Sequence, residues 1–343
     1  MMDLKLIEKL TSAFGLPGFE DEVRALIKSE LEGYVDSMKV DRMGNLIVTK
    51  NAKKKGKHIA LSAHMDEVGL CVQGINGDGT LKIASWGVDP RLLPSMRVVV
   101  GEKKIVGVVG SKPIHLQSAN DRSSVYSIDA LYVDIGCDKK EDAEKHVSPG
   151  DWVGFDSAFT EFGESKVKAK ALDDRVGCAA IIELLKSKTP YKITGLFVTQ
   201  EEVGLRGSSV AAKALSADLL INLEGTICAD MEGIEVHEHV TTQGAGPALS
   251  VMDRSSIYQK EYLNDIMRVA AEKKIPYQLR RSGMSGTDAG NYHTAGIGMP
   301  CIGVAIPCRY IHSPVSVMDK NDYKNLLKLV DAYINDYAKR GGK

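Results

Sequence analysis

Long apolar runs are missing from this 343-residue chain, and nothing in it approaches the roughly 18 apolar residues of a membrane-spanning helix. An excess of charge is missing too. With 44 basic and 45 acidic residues the net charge is -1, which leaves no electrostatic basis for nucleic acid or an anionic membrane as partner. Aromatic residues make up only 6% of the chain, so there is little material for a sugar-stacking groove. The six cysteines (Cys71, Cys137, Cys178, Cys228, Cys301 and Cys308) include no Cys-x-x-Cys pair, which excludes a zinc knuckle or a thioredoxin-like motif. They read as reduced core thiols of a cytoplasmic protein. There is no Gly-x-Ser-x-Gly elbow and no P-loop, and Gly244-Ala245-Gly246 runs into Pro247 without a dinucleotide fingerprint. The first ten residues carry Asp3, Lys5, Glu8 and Lys9 and read as an amphipathic helix, without a signal-peptide core.

What remains is an ordinary globular composition, 43% hydrophobic and 26% charged, long enough for about two domains. Helical periodicity covers 3–13 and 19–32, a hairpin turns at Met43-Gly44-Asn45, and Ile59 to Ala63 is a short buried strand. From about Val68 to Glu164 short β-like pieces alternate with glycine turns, as in Ile105-Val106-Gly107-Val108-Val109-Gly110. Beyond Lys166 strands at 193–199, 219–223, 234–239 and 300–306 alternate with helices at 176–186, 208–215, 258–273 and 319–337. The expected fold is α/β, a mostly parallel sheet covered by helices, with an inserted small β-barrel or sandwich. Residues 1–67 and 166–343 form the α/β domain and 68–165 the insertion.

Polar residues cluster after the buried runs. The strand at 59–63 ends in His64 and Asp66, the one at 193–199 leads to Glu201 and Glu202, the one at 219–223 to Glu224, and the one at 300–306 to His312. Asp173-Asp174 precedes the helix that starts near Arg175. Parallel strands share one C-terminal edge, where open α/β sheets bind ligands, so these groups converge although distant in sequence. Alone, each has a structural explanation: an acidic loop, a surface histidine, or an aspartate capping a helix. Histidine and carboxylate without thiolate suit Zn²⁺, Co²⁺ or Mn²⁺. One division puts His64, Glu224 and Asp173 on one ion and Asp173, Glu202 and His312 on a second. A bound hydroxide and three carboxylates balance two divalent ions. Successive side chains at a strand end point to opposite sides, which frees Glu201 as general base beside the metals.

Two other features compete. Glu235, His237 and His239 alternate along the expected strand 234–239 and share a face, a metal-like triplet or a solvated one. The loop Ser282 to Gly290 could line a pocket or cap a helix through Thr287 or Asp288.

Five strings carry a resemblance: Ala63-His64-Met65-Asp66-Glu67-Val68-Gly69, Lys170-Ala171-Leu172-Asp173-Asp174-Arg175-Val176-Gly177, Thr199 to Gly207, Gly286-Thr287-Asp288-Ala289-Gly290 and Arg309-Tyr310-Ile311-His312-Ser313-Pro314. In order and over essentially the whole chain, they resemble the tetrahedral (TET-type) di-metal aminopeptidases, which include glutamyl and leucyl aminopeptidases and some relatives labelled cellulase. The resemblance implies His64, Asp173, Glu202 and His312 as metal ligands with Asp173 bridging, Glu201 as base, and Asp66 orienting His64. It also implies that the insertion is a dimerisation domain, and that dimers build a dodecamer. The family usually has Asp where this chain has Glu224; Asp230 is a nearby substitute. The expected protein is a cytoplasmic metallo-aminopeptidase with two divalent ions, zinc or cobalt, acting on peptides through a di-metal-bound hydroxide. The alternatives are a glycoside hydrolase of endoglucanase type, using paired carboxylates, or a non-catalytic assembly protein. Basic residues of the open S1 walls, Arg254, Arg280 and Arg281, read equally well as solvated.

Overall fold

The computed structural model describes residues 2–281 and 285–340. In chain order the strands are β1 (Ser37–Val40), β2 (Leu46–Lys50), β3 (His58–His64), β4 (Gly69–Ile75), β5 (Leu81–Trp86), β6 (Arg97–Val100), β7 (Ile105–Gly110), β8 (Tyr132–Asp134) and β9 (Trp152–Phe155). They continue as β10 (Thr160–Phe162), β11 (Lys166–Ala169), β12 (Lys192–Val198), β13 (Leu219–Ile227), β14 (Ala248–Leu249), β15 (Gln278–Leu279), β16 (Cys301–Arg309) and β17 (Ser316–Asp319). The chain divides into two units, one of residues 1–66, 159–311 and 316–343, the other of 67–158 and 312–315.

The first unit holds an eleven-stranded sheet in the order β1-β2-β12-β3-β13-β16-β17-β11-β10, with β14 and β15 attached beside β16. Only the central strands β12, β3, β13 and β16 run parallel in series; the flanks on both sides are antiparallel. The sheet is therefore mixed. Its parallel part is buried on both faces, which is why β3 and β12 read as nearly unbroken apolar runs. Alternation still sorts them. Ile59, Leu61 and Ala63, with Ile193, Phe197, Ile221 and Leu223, face the larger core against the helices Leu4–Ser12, Asp21–Leu31, Leu172–Lys186, Lys260–Lys273 and Lys320–Arg340. Ala60, Leu196, Val198 and Leu220 face a smaller core with Ala211, Ala212, Ala289 and Tyr292 from the helices Arg206–Ala214 and Ala289–Thr294. Consecutive crossover helices thus lie on opposite faces. The carboxyl ends of β12, β3 and β13 are left as the crevice of a doubly wound sheet.

The helix Leu172–Lys186 is the central one, with Val176, Ile181, Ile182 and Leu185 fully buried. Its apolar residues cover nearly its whole circumference, the pattern of a helix buried all round. In the second unit β4-β5-β8-β7-β6-β9 close into an antiparallel barrel. Val98, Val100, Val109, Val133 and Phe155 fill it, while Val106 and Val108 point outward from β7.

Three local readings change. Residues 234–239 contain no strand: Val236–Glu238 is a 3-10 turn closed by reciprocal Glu235 and Glu238 hydrogen bonds. The run Ile234 to His239 has the period of a strand but finds no neighbour to pair with. β13 continues to Ile227, so Glu224 lies within the strand rather than after it. β12 stops at Val198, and Gln200 turns the chain with a left-handed φ of 58°. Glu201 and Glu202 therefore stand in a loop, and strand alternation cannot be what separates them. Among the described residues no helix is long and apolar enough to cross a membrane.

Candidate metal centre

Register brings the first pair together. β13 and β3 run parallel with Asn222 beside Ser62, and continuing two residues along the same face reaches Glu224 beside His64. His64 is the last residue of β3 and is almost fully buried. Its Nδ1 lies 3.1 Å from the backbone carbonyl of Asp66 and 3.5 Å from the Asp66 carboxylate. Both are acceptors, so Nδ1 carries a hydrogen and Nε2 is the nitrogen left to meet a ligand-bound ion or a second proton. That Nε2 faces Asp173 Oδ1 at 3.4 Å and Glu224 Oε2 at 3.6 Å. Ligands of a tetrahedral ion bound at about 2.1 Å stand about 3.4 Å from one another, so these spacings match those around a shared cation.

The aspartates sit at the start of the helix Leu172–Lys186, where Asp173 and Asp174 depart from helical geometry and are joined by a cis peptide bond. Asp174 is a backbone cap, accepting from Gly177 N–H at 3.0 Å and His64 N–H at 3.2 Å. Asp173 Oδ1 accepts from Gly225 N–H at 3.2 Å. Gly225 allows that approach: a Cβ there would lie 2.9 Å from Asp173 Cβ and Oδ1. Glu224 Oε1 accepts from Asn222 Nδ2 at 2.8 Å, which leaves Oε2 toward the imidazole.

The loop carrying Glu201 and Glu202 is pinned by Asp66, whose Oδ1 and Oδ2 accept their N–H groups at 3.0 Å each. Among the described residues there are two groups in each of which the potential ligand atoms lie within 4.8 Å of one another, His64 with Asp173 and Glu202, and His64 with Asp174 and Glu224. Glu201 and His312 are in neither group. His312 has a left-handed φ of 57° and belongs to the segment 312–315, which groups with the barrel unit. Asp230 is bound elsewhere, paired with Arg309 at 2.8 Å.

Carboxylates outnumber cations here. Burial raises the Glu201 carboxyl well above its usual range against the pull of His64, and Asp288, Glu224 and Glu202 raise it further. Burial followed by Asp174 does the same to Glu224. Burial takes Asp288 to about 6 and, helped by Asp66, Glu20 to about 7. Burial opposes a charged His64, but Asp173 and Asp66 outweigh it and raise its pKa well above the usual value. Lys170 and Arg175, both buried nearby, direct hydrogen bonds to the backbone carbonyls of Ala13, Leu10 and Met65. A buried acid excess around one imidazole is what divalent cations relieve, a cation taking the place of the second imidazole proton, so the donor set fits them.

Sequence reasoning missed Glu20, Asn45, Asn222 and Asp288 as members of this neighbourhood. Asp288 was legible as a cap of the helix Ala289–Thr294, but its carboxylate bonds Ser208 instead. Arg280, read as equally suited to solvent, is 8% exposed and bonds Ser285. Residues 282–284 of the glycine-rich loop lie outside the described residues.

The sequence pattern of the M42 glutamyl aminopeptidases matches residues 44–329. The lysyl aminopeptidase of Pyrococcus furiosus is 30% identical over 345 residues, 98% of each chain. The structure of aminopeptidase APDkam598 from Desulfurococcus kamchatkensis superposes with a TM-score of 0.92 at 32% identity, covering 99% of this chain and 97% of that one. The TET1 peptidase of Pyrococcus horikoshii, which assembles into a tetrahedron or a large octahedral shell, gives a TM-score of 0.87 at 31% identity over 96% and 98% of the two chains. With this match over most of its length, the chain belongs to the M42 glutamyl aminopeptidase family of metal-dependent peptide hydrolases.

Proposed function

We propose that the protein removes N-terminal residues from peptides with two divalent ions, zinc or cobalt, held by His64, Asp173, Glu202, Glu224 and His312. The observation that carries the reading is the meeting of His64 Nε2, Asp173 Oδ1 and Glu224 Oε2 at ligand spacing in a buried acid excess. His312 is assigned from the sequence alone. When bound, the ions lower the pKa of a water and polarise the scissile carbonyl. Asp66 fixes the His64 tautomer through its carbonyl and holds the Glu201 and Glu202 N–H groups through its carboxylate. Glu201, as the carboxylate, takes the proton of the attacking water and passes it to the leaving amide nitrogen. Glu224 stands one methylene longer than the family's usual Asp, and Asn222 ties down the oxygen turned away from His64.

The barrel unit is the dimerisation module, and dimers build a tetrahedral dodecamer in the cytoplasm. Exposed Val106, Val108, Ile114, Leu116 and Val125 on that unit support self-association. Six free cysteines accord with a reducing compartment.

Chelation is expected to abolish cleavage of amino-acid p-nitroanilides, and zinc or cobalt to restore it. Glu201→Gln retains metal and loses turnover by about 10²–10⁴-fold. Near-normal turnover in that variant removes Glu201 from the base role. Hydrolysis of cellulose but of no anilide would overturn the peptidase reading.

A further inference from the structure

Four successive backbone N–H groups, from Thr199 to Glu202, donate to side-chain oxygens of remote residues. Thr199 N–H reaches Asn45 Oδ1 at 3.0 Å, Gln200 N–H reaches Glu20 Oε1 at 3.2 Å, and Glu201 and Glu202 N–H reach Asp66 at 3.0 Å each. Glu20 is 2% exposed, and the same Oε1 accepts from Gly18 N–H at 2.9 Å. It caps no helix with that oxygen: the helix Asp21–Leu31 begins after it without a side-chain hydrogen bond from Glu20. The residue it holds turns the chain just past the end of β12, where Gln200 adopts a left-handed φ of 58° although it is not glycine. A conformation of that kind persists only where its surroundings over-determine it. On the carbonyl side, Arg206 N–H meets Gln200 O at 3.1 Å and Leu205 N–H meets Glu201 O at 2.9 Å, so the loop is bonded from both faces.

We infer that Glu20 is a positioning residue for catalysis: by accepting the Gln200 N–H it fixes the turn that aims Glu201. The inference rests on the assignment of Glu201 as general base. It attributes the role to the acceptor atom and its reach, not to charge. Gln keeps both chain length and a carbonyl oxygen. Asp keeps the charge but is one methylene too short to bond the Gly18 and Gln200 N–H groups together.

The test compares Glu20→Gln, Glu20→Asp, Glu20→Ala and Glu201→Gln in the full-length metal-loaded enzyme, by kcat and KM on an amino-acid p-nitroanilide, by bound metal and by thermal melting. The Asp and Ala variants are expected to lose about 10- to 100-fold in kcat with KM and metal content nearly unchanged. The Gln variant retains most of its turnover. If the Ala variant does not fold, the Gln and Asp pair decides alone. Wild-type kcat in the Asp variant, with or without impairment of the Gln variant, overturns the inference while Glu201→Gln stays inactive. So does a loss of turnover that follows a parallel loss of metal, which makes Glu20 a purely structural residue. Turnover in Glu201→Gln instead removes the base assignment itself, and the two failures are told apart.

Discussion

Gly225 shows how tightly the residue scale constrains the centre. It follows Glu224 on β13, and its missing side chain is the space that Asp173 occupies. Gly207 does the same for the loop carrying Glu201 and Glu202: a Cβ there would meet Thr199 O at 2.3 Å and Asn45 Oδ1 at 2.4 Å. Neither constraint is visible in the sequence, where both glycines read as loop residues. Gly225→Ala is expected to displace Asp173 and weaken metal binding by about 10- to 100-fold while leaving the fold intact, as judged by chelator competition and circular dichroism. Unchanged affinity would separate Asp173 from the metal. The placement of Glu201 and Glu202, on which their proposed roles rest, also belongs to this scale. Their sequence adjacency suggested alternation at a strand end, but the loop geometry comes from Gln200 and from acceptors on Glu20 and Asp66.

Elements were legible wherever their periodicity matched their burial. The helices at 4–12, 21–31 and 172–186, and the strands of the parallel sheet, repeat their apolar residues with the period their packing needs. The 234–239 segment failed because strand-like alternation specifies a strand only when a partner edge is available. Helix Lys320–Arg340 carries a buried element-level device. Asp322 is fully buried and accepts Gly244 N–H at 2.7 Å and Gly246 N–H at 2.8 Å, joining the helix to the loop before β14. Burial raises its carboxyl to about 6, with the two N–H bonds opposing and Asp319 adding to the rise. The folded protein thus holds this proton more tightly than an unfolded chain with a carboxyl near 3.9. The associated stability is fully present below about pH 4 and is lost as pH rises through about 6. Urea unfolding of wild type and Asp322→Asn between those pH values is expected to show the wild-type advantage shrinking with rising pH. A difference independent of pH would contradict the assignment.

At the scale of the whole molecule two kinds of surface matter. The first unit concentrates acid at the carboxyl ends of β3, β12 and β13. Metal bound there stabilises the folded chain by mass action, so chelation should lower the melting temperature as well as the activity. The barrel unit presents Val106 and Val108, 58% and 43% exposed, on adjacent outward positions of β7. Val106→Asp is expected to reduce the native mass from that of the proposed dodecamer to smaller species, with metal content per chain unchanged. A dodecamer that survives this substitution places the assembly contacts elsewhere.

The sequence by itself determined the class of the protein. Its apolar rhythm gave alternating strands and helices, its glycine-punctuated middle gave short β pieces, and its ordered motifs identified the family. Short-range periodicity and residue chemistry carry those facts without reference to distant partners. Only the tertiary structure decided that the main path of the sheet is parallel across β12, β3, β13 and β16 alone, that the insertion closes as a barrel, and that Glu20 and Asn45 brace a loop some 150 to 180 residues away. Such contacts are set by strand register and by single hydrogen bonds between remote segments, and no local pattern encodes either.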